Sequence, residues 1–222
     1  MDVIDAITSR RSVRGFLPTP VPRETVARLL EIAARAPSGS NIQPWRVHVL
    51  TGKAKDRLSR AMHELRARDP KAECAQYQYY PVNWREPYLS RRRKIGWDLY
   101  ALCGIARGET EKMFRQHGRN YEFFGAPVGL MITVEADMEL GSWIDCGIFV
   151  QSVLIAARGF GLHTCPQAAW AYHHDVVRTT IPLDDTEKVV CGIALGYEDE
   201  NEPANALQTV REPVESFTVF YE

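Results

Sequence analysis

A run of five residues near the amino terminus carries three guanidinium groups and one hydroxyl: Arg10, Arg11, Ser12, Val13 and Arg14. Arginine forks bind phosphate oxygens in pairs, and a phosphate monoester carries about −1.5 to −2 charges at neutral pH. The run therefore suits a phosphate group. A solvated basic surface has the same composition, and this segment alone does not separate the two interpretations.

A second candidate segment combines small residues with two amide side chains: Pro37, Ser38, Gly39, Asn41 and Gln43. Small residues let a backbone approach a flat ligand closely, and the two amides offer paired donors and acceptors. Composition alone favours an ordinary connection between a helix and a strand.

A third segment, residues 161–170, places Cys165 before a proline. Cys165 and His163 alternate along a strand-like run with no group to orient a nucleophile and base, so a small buried residue is favoured over a catalytic thiol. His173 and His174 have no second ligand pair at a metal spacing, so no metal site is predicted and a surface cluster at a helix start is favoured.

Nucleotide-binding glycine motifs are missing from the chain. Gly159 and Gly161 begin like a dinucleotide fingerprint, but they follow a helical pattern and lack the third glycine. The net charge of −1, from 27 basic and 28 acidic residues, excludes a general nucleic-acid binder. The acidic start and five cysteines without a C-x-x-C pair predict a cytoplasmic protein.

The elements that must position these segments follow from apolar periodicity. Helical spacing is found over 2–9, 22–36, 53–68, 108–124 and 142–157, and strand patterns over 45–50, 128–135 and 189–195. Ser142 and Asp145 have the spacing of a capping box, and the helix they open is apolar around most of its circumference, which predicts burial on all sides. Asp145, Gln151 and Arg158 argue against a membrane span in this stretch. We expect one α+β domain over 1–222.

Two further stretches lie outside this pattern. Residues 70–100 begin with tyrosines, tryptophan and prolines and then reach a basic run, Arg91 to Lys94, which predicts a loop or short-helix excursion that covers something. The tail from Pro213 to Tyr221 alternates apolar and polar residues and is expected to run extended along a partner.

Together, the segments resemble the nitroreductase family of FMN-dependent oxidoreductases. The matching pieces occur in the family's order over most of the chain, at 10–14, 36–45, 161–170, 192–197 and 211–214. The arrangement is most similar to the branch of nitrobenzoate and nitroarene reductases. The resemblance implies an α+β fold with a central, mostly antiparallel sheet flanked by helices. It also implies a homodimer with FMN at the subunit interface and a tail, 205–222, swapped onto the partner.

The resemblance also assigns residues to FMN. It implies that the phosphate is held by Arg10, Arg11, Ser12 and Arg211, with Val13 in the same segment. Arg14 would face the oxygen edge of the ring, where a positive charge stabilises the negative charge of the reduced form. The remaining ring contacts would come from two loops: Pro37, Ser38, Asn41 and Gln43, and then Pro166, Gln167 and Ala168. FMN itself carries the chemistry, so no catalytic side chain is predicted.

The implied reaction is ping-pong. NADH or NADPH gives a hydride and leaves, and a nitroaromatic or quinone substrate then takes its place. We expect residues 70–100 to form a lid, with Gly39, Trp84, Tyr88 and Arg91 near the substrate and Tyr79, Tyr80 and Trp97 as further stacking candidates. The equal alternative for this stretch is a packed arm of the dimer with a solvated basic end. The alternatives are enone or quinone reduction or reductive dehalogenation on the same scaffold, and a flavin-binding protein without turnover.

Overall fold

One antiparallel sheet organises the structure. The computed structural model describes residues 1–222 and contains four strands: β1 (Trp45–Thr51), β2 (Val128–Glu135), β3 (His163–Gln167) and β4 (Glu187–Gly196). Their order in the sheet is β1-β2-β4-β3, and every neighbouring pair is antiparallel. The predicted α+β class with a mostly antiparallel sheet is therefore confirmed.

Seven α-helices surround the sheet: α1 (Val3–Ser9), α2 (Arg23–Ala33), α3 (Gly52–Arg68), α4 (Tyr88–Leu102), α5 (Thr110–Gly118), α6 (Leu140–Gly159) and α7 (His174–Thr180). Most match the periodicity within a few residues. The predicted helix over 108–124 is too long, because α5 ends at Gly118 and a 3₁₀ segment, Arg119–Gly125, continues the chain. Phe123 and Phe124 there have positive φ angles, which an α-helix excludes.

Successive side chains of a strand point to opposite faces of the sheet, so the core forms two layers, one on each face. Leu130 and Ile132 of β2 face one layer, which contains Leu29 of α2 and Phe149 of α6. Met131 faces the other layer, which is built on α3, α7 and the 3₁₀ segments. Because β2 is covered on both faces, it is a continuous apolar run in the sequence.

Helix α6 differs from the prediction at its start and on one face. It begins at Leu140 without a side-chain cap, and the carboxylate of Asp145 accepts a hydrogen bond from the Gly39 backbone instead, so the predicted capping box is wrong. One face packs on α2 and the sheet. The opposite face is exposed in this chain: Leu140 is 79% exposed, Ile144 66% and Ile148 37%. The prediction that α6 is buried on all sides is therefore wrong for this chain.

The length and composition of α6 alone would allow it to cross a membrane. The core helix of a soluble protein satisfies the same criteria, and the inner face of α6, which carries Phe149 and Val153, lies in the core.

The two adjacent histidines are buried, which corrects their placement in a surface cluster. The hydroxyl of Tyr121 lies 2.8 Å from Nε2 of His173, and both side chains are in the interior. Burial, reinforced by the charges of Arg66 and His117, lowers the pKa of His173 to about 4. His173 therefore stays neutral in the folded protein at neutral pH.

This depressed pKa predicts that acid destabilises the fold between pH 6.5 and pH 4. The unfolded chain binds a proton at His173 in this range and the folded chain does not, so the free energy of unfolding falls as the pH drops. The shift corresponds to about 3 kcal/mol at pH 4. Urea unfolding of His173→Gln at several pH values should show a flatter dependence than the parent. The control is the exposed His63→Gln variant, and an equally flattened slope there would contradict the assignment.

Candidate active site

The structure brings the first and third sequence segments together. Ser12 forms a parallel bridge with Thr164 of β3, and the backbone N–H of Val13 donates to the Thr164 carbonyl at 3.0 Å. Ser12 also lies beside the buried Cys165. The Val13 side chain is fully buried in the core, so a contact of Val13 with a ligand would have to come from its main chain.

Arg10 and Arg211 form a pair of cations. Burial, followed by the charge of Arg211, lowers the pKa of Arg10, so the two guanidinium groups lie near each other although 201 positions separate them in the sequence. Neither is in an ion pair with a carboxylate. Arg211 donates only to its own tail segment, to Oγ1 of Thr209 at 2.7 Å and the Val210 carbonyl at 3.0 Å. Two cations that act on each other and have no carboxylate partner favour binding of a doubly negative group.

The other two arginines of the first segment are held differently. Arg11 forms an ion pair with Glu198 and donates to the Asn205 carbonyl at 2.7 Å. Its guanidinium is therefore engaged within the chain, and the phosphate contact of Arg11 stays a prediction. The backbone of Arg14 donates to Oδ1 of Asn205 at 2.6 Å, which ties this segment to the start of the tail.

A groove of about 740 Å³ opens at the end of β3. Pro166, Gln167 and Ala168 line one side of it. Four aromatic side chains also line it: Tyr77, Tyr79, Tyr80 and Trp143. The amide of Gln167 is buried and donates to the Asn120 carbonyl at 2.6 Å, so this nitrogen does not face a ligand. A lining that combines small residues with aromatic rings suits a flat, conjugated ligand.

Tyr77 fastens the aromatic segment to the sheet. Its hydroxyl donates to the carbonyls of Val189 and Val190 of β4, at 3.1 and 3.0 Å, and its ring meets Trp143 edge-on at 4.5 Å. Tyr79 and Tyr80 follow directly, so their place at the groove depends on this anchor.

Removing the Tyr77 hydroxyl is expected to loosen this segment without unfolding the protein. A hydrogen bond contributes about 0.5–1.5 kcal/mol, so amide hydrogen exchange over residues 74–82 should accelerate by up to about tenfold in Tyr77→Phe. The matched control is Tyr79→Phe, whose hydroxyl makes no hydrogen bond within the chain. Equal acceleration in both variants would contradict the anchor.

Of the predicted substrate residues, Tyr79 and Tyr80 line the groove, whereas Trp84, Tyr88 and Arg91 do not. Trp84 packs behind Tyr80, with 5.4 Å between ring centroids. Tyr88 lies near the guanidinium groups of Arg85 and Arg91, and Arg91 forms an ion pair with Glu212 at 3.1 Å. The residues that do line the groove include Trp143, which no spacing in the sequence connected to the aromatic segment.

The loop after α2 is strained but does not line this groove. Ser40, Asn41 and Gln43 have φ angles of 49°, 58° and 50°, in the left-handed region that side-chain-bearing residues rarely adopt. Its ends are fixed by Asp145 through Gly39 and by Ser38, whose hydroxyl accepts from the Gln43 N–H at 3.0 Å. Strain of this kind persists where the surroundings enforce it, often at ligand sites.

Similar proteins are known at the level of sequence and structure. The model of the Nitroreductase family matches residues 7–197. The 4-nitrobenzoate reductase of Pseudomonas putida is 41% identical over 99% of this chain and 96% of its own. The chloronitrobenzene nitroreductase of Comamonas testosteroni is 40% identical over 97% of this chain and 95% of its own. The crystal structure of FMN-dependent NfnB from Mycobacterium smegmatis in complex with NADPH superposes on this chain with a TM-score of 0.93. The two sequences are 32% identical, and the superposition covers 99% of this chain and 97% of NfnB.

Proposed function

Because this chain belongs to the nitroreductase family, we propose that it is an FMN-dependent oxidoreductase that reduces nitroaromatic compounds with electrons from NADH or NADPH. The proposal is supported by Arg10 and Arg211, which have no carboxylate partner, and by the bridge from Ser12 to β3, whose Pro166 and Gln167 line the groove. The relatives named as nitrobenzoate and chloronitrobenzene reductases support the same chemistry.

The residues present fit FMN. Arg10, Ser12 and Arg211 would hold its phosphate, because two unpaired guanidinium groups and a hydroxyl match a dianion. Pro166 and Ala168 would lie against its ring in the groove. When bound, FMN accepts a hydride equivalent from the dinucleotide and passes electrons to the acceptor.

The chain's own residues would bind and orient the substrates and would exclude water from the groove. Tyr79 and Tyr80 form an edge-on pair with centroids 4.8 Å apart and cover one side of the groove. Burial raises the pKa of Tyr79 to about 12, so this phenol keeps its proton at neutral pH and can donate a hydrogen bond to a nitro oxygen. One groove would serve the dinucleotide and the acceptor in turn, in agreement with the missing Rossmann fingerprint.

We infer that the active unit is a homodimer. The exposed apolar stripe of α6 continues onto α1, which packs beside it. It consists of six residues: Val3, Ile4, Ile7, Leu140, Ile144 and Ile148. Contiguous apolar surface of this kind marks an interface. A partner's loop of residues 37–43, strained and outside the groove of its own chain, would complete the site.

The tail supports the same inference. Beyond the 3₁₀ turn at Pro203–Ala206, five apolar side chains of the tail are largely exposed: Val210, Phe217, Val219, Phe220 and Tyr221. A tail that leaves its apolar side chains in water needs a second chain to cover them, so residues 205–222 would be swapped onto the partner.

Two other features of the protein follow as proposals. Both core layers pack on the one sheet, which supports a single domain over 1–222. All five cysteines are free thiols, which supports a cytoplasmic location.

The test is the visible spectrum of the purified protein. We expect a bound flavin spectrum that NADH or NADPH bleaches without oxygen and that a nitroarene then restores. Restoration by a quinone alone would favour the quinone-reductase alternative, and a bound flavin that neither dinucleotide bleaches would favour a non-catalytic flavin protein. A colourless protein that takes up no FMN on incubation would overturn the proposal.

A further inference from the structure

We propose that a cavity separate from the groove binds a small oxyanion, a phosphate or a carboxylate, on Arg66 and His173. The cavity measures about 340 Å³ and is lined mainly by residues of α3, α4 and α5, by Tyr121 and by His173. No residue of the groove and no residue assigned to FMN lines it. The inference therefore stands apart from the proposed function.

Arg66 is a buried cation of α3 without a carboxylate partner. It is 7% exposed, and none of the chain's ion pairs includes it. Its guanidinium donates to the Phe114 carbonyl at 2.6 Å and to Nδ1 of His117 at 3.2 Å. These contacts use part of its hydrogen-bonding capacity and supply no full negative charge. Because an unpaired buried charge is costly, an anion beside Arg66 would be stabilised.

The other basic side chains of a larger neighbouring cavity each have a carboxylate partner. This second cavity measures about 830 Å³, and Arg66 borders it as well. The pairs are His63 with Glu122, Lys112 with Glu109, Arg115 with Glu111 and Arg119 with Glu202. The charge left for an external anion is therefore that of Arg66.

His173 adds a hydrogen-bond donor to the cavity. It is 6% exposed, and its ring nitrogen Nδ1 is buried without a partner in the chain. The other ring nitrogen, Nε2, lies 2.8 Å from the Tyr121 hydroxyl. Arg66 also acts on this hydroxyl, and because a guanidinium only donates, the oxygen lone pairs face Arg66 and the proton faces Nε2. A neutral His173 then carries its own proton on Nδ1, where a ligand oxygen can accept it.

The charges of the lining select an anion over a cation. A cation would meet Arg66, and Nδ1 of His173 has a proton to donate. Glu73 is the one acidic residue of the lining; it is exposed and forms no hydrogen bond or ion pair, so it lies at the opening. Apolar contacts come from Met113 and Phe114. Two donors at the buried end of a partly apolar cavity fit a small oxyanion.

The cavity adjoins the segment that reaches the groove. His173 pairs with Cys74 in a parallel bridge, and the Cys74 N–H donates to the Tyr172 carbonyl at 2.7 Å. Further along the same segment, Tyr77 is fastened to β4. An oxyanion bound to His173 would therefore stabilise the start of the aromatic segment.

The test uses inorganic phosphate and acetate as probes on the FMN-loaded protein, in which FMN fills the proposed phosphate site. Nuclear magnetic resonance of isotope-labelled histidine rings follows binding at this cavity directly. At constant ionic strength, we expect a probe to shift the Nδ1 signal of His173 and to leave that of His48 unchanged. A shift with phosphate alone would identify a phosphate site, and a shift with acetate alone a carboxylate site.

Arg66→Gln is expected to weaken binding of the probe by at least about tenfold, since it removes a charge-assisted contact. Glu73→Gln should strengthen binding by about two- to fivefold, because a like charge at the opening is removed. The matched control is Arg68→Gln on the same helix, which is exposed and lines neither cavity. We expect it to change the affinity by less than about twofold.

A His173 signal that neither probe shifts would overturn the proposal. An equal loss of affinity in Arg68→Gln and Arg66→Gln would also overturn it, because the attraction would then come from the general charge of the helix. If Arg66→Gln does not fold, Glu73→Gln decides: an affinity that stays the same or falls would place the probe away from Glu73 and contradict the site. The His173 signal reports on this cavity with or without FMN, so a protein that takes up no flavin would overturn the proposed function alone.

Discussion

If the proposed homodimer forms through α6, replacing Ile144 by glutamate is expected to split it and release FMN. Ile144 lies in the middle of the exposed apolar stripe of α6, between Leu140 and Ile148. In a two-fold dimer each substitution occurs twice, and burying an unpaired carboxylate costs several kcal/mol. Because about 1.4 kcal/mol corresponds to a tenfold change, the dimer dissociation constant should rise at least about 100-fold.

Sedimentation velocity over a range of concentrations, with absorbance recorded at the flavin band and at 280 nm, measures both effects. Ile144→Leu is the matched control, because it keeps the apolar area of the stripe, and it should remain dimeric and yellow. Far-ultraviolet circular dichroism checks that Ile144→Glu is folded. A folded Ile144→Glu variant that stays dimeric would show that this face of α6 is not the interface.

Replacing Arg10 by glutamine is expected to weaken FMN binding by about 10- to 150-fold. The variant loses one charge-assisted hydrogen-bonding group, which contributes about 1.5–3 kcal/mol to the binding free energy. Arg10 shares its surroundings with Arg211 and has no carboxylate partner, so its removal leaves no acidic group unpaired. In the variant without FMN, the loss of repulsion from Arg211 should preserve or raise the thermal midpoint.

The matched control is Arg11→Gln, the next residue in the chain. Its guanidinium is engaged by Glu198 and the Asn205 carbonyl, so we expect a lower thermal midpoint and a smaller change in FMN affinity. Equilibrium dialysis with FMN measures the affinities, and riboflavin, which lacks the phosphate, should bind the parent and Arg10→Gln alike. A stronger effect of Arg11→Gln on FMN than of Arg10→Gln would reverse the assignment.

Apolar periodicity was sufficient to predict most elements of the fold. β2 and β4 are continuous apolar runs because the sheet is covered on both faces, and α2 shows a stripe because one side is buried. α4 was predicted only as an excursion with short helices, because it has no fully buried residue and so no apolar stripe marks it. The capping-box spacing at Ser142 was misleading, since Asp145 is used in a tertiary contact with Gly39.

The sequence by itself determined which functional groups this protein has and in what order: the clustered arginines, the small-residue loops and the apolar runs. Residue type and local spacing are enough for these, because they depend on the charge of a side chain and on which face of an element is apolar.

Only the tertiary structure decided which guanidinium groups are free. Arg11 was indistinguishable from Arg10 in the sequence until the fold placed Glu198 beside it. The place of Trp143 in the lining of the groove was likewise visible only in the tertiary structure. The physical reason is that an ion pair or a groove joins groups from distant segments. Their distances depend on strand register and helix packing, which local patterns do not contain.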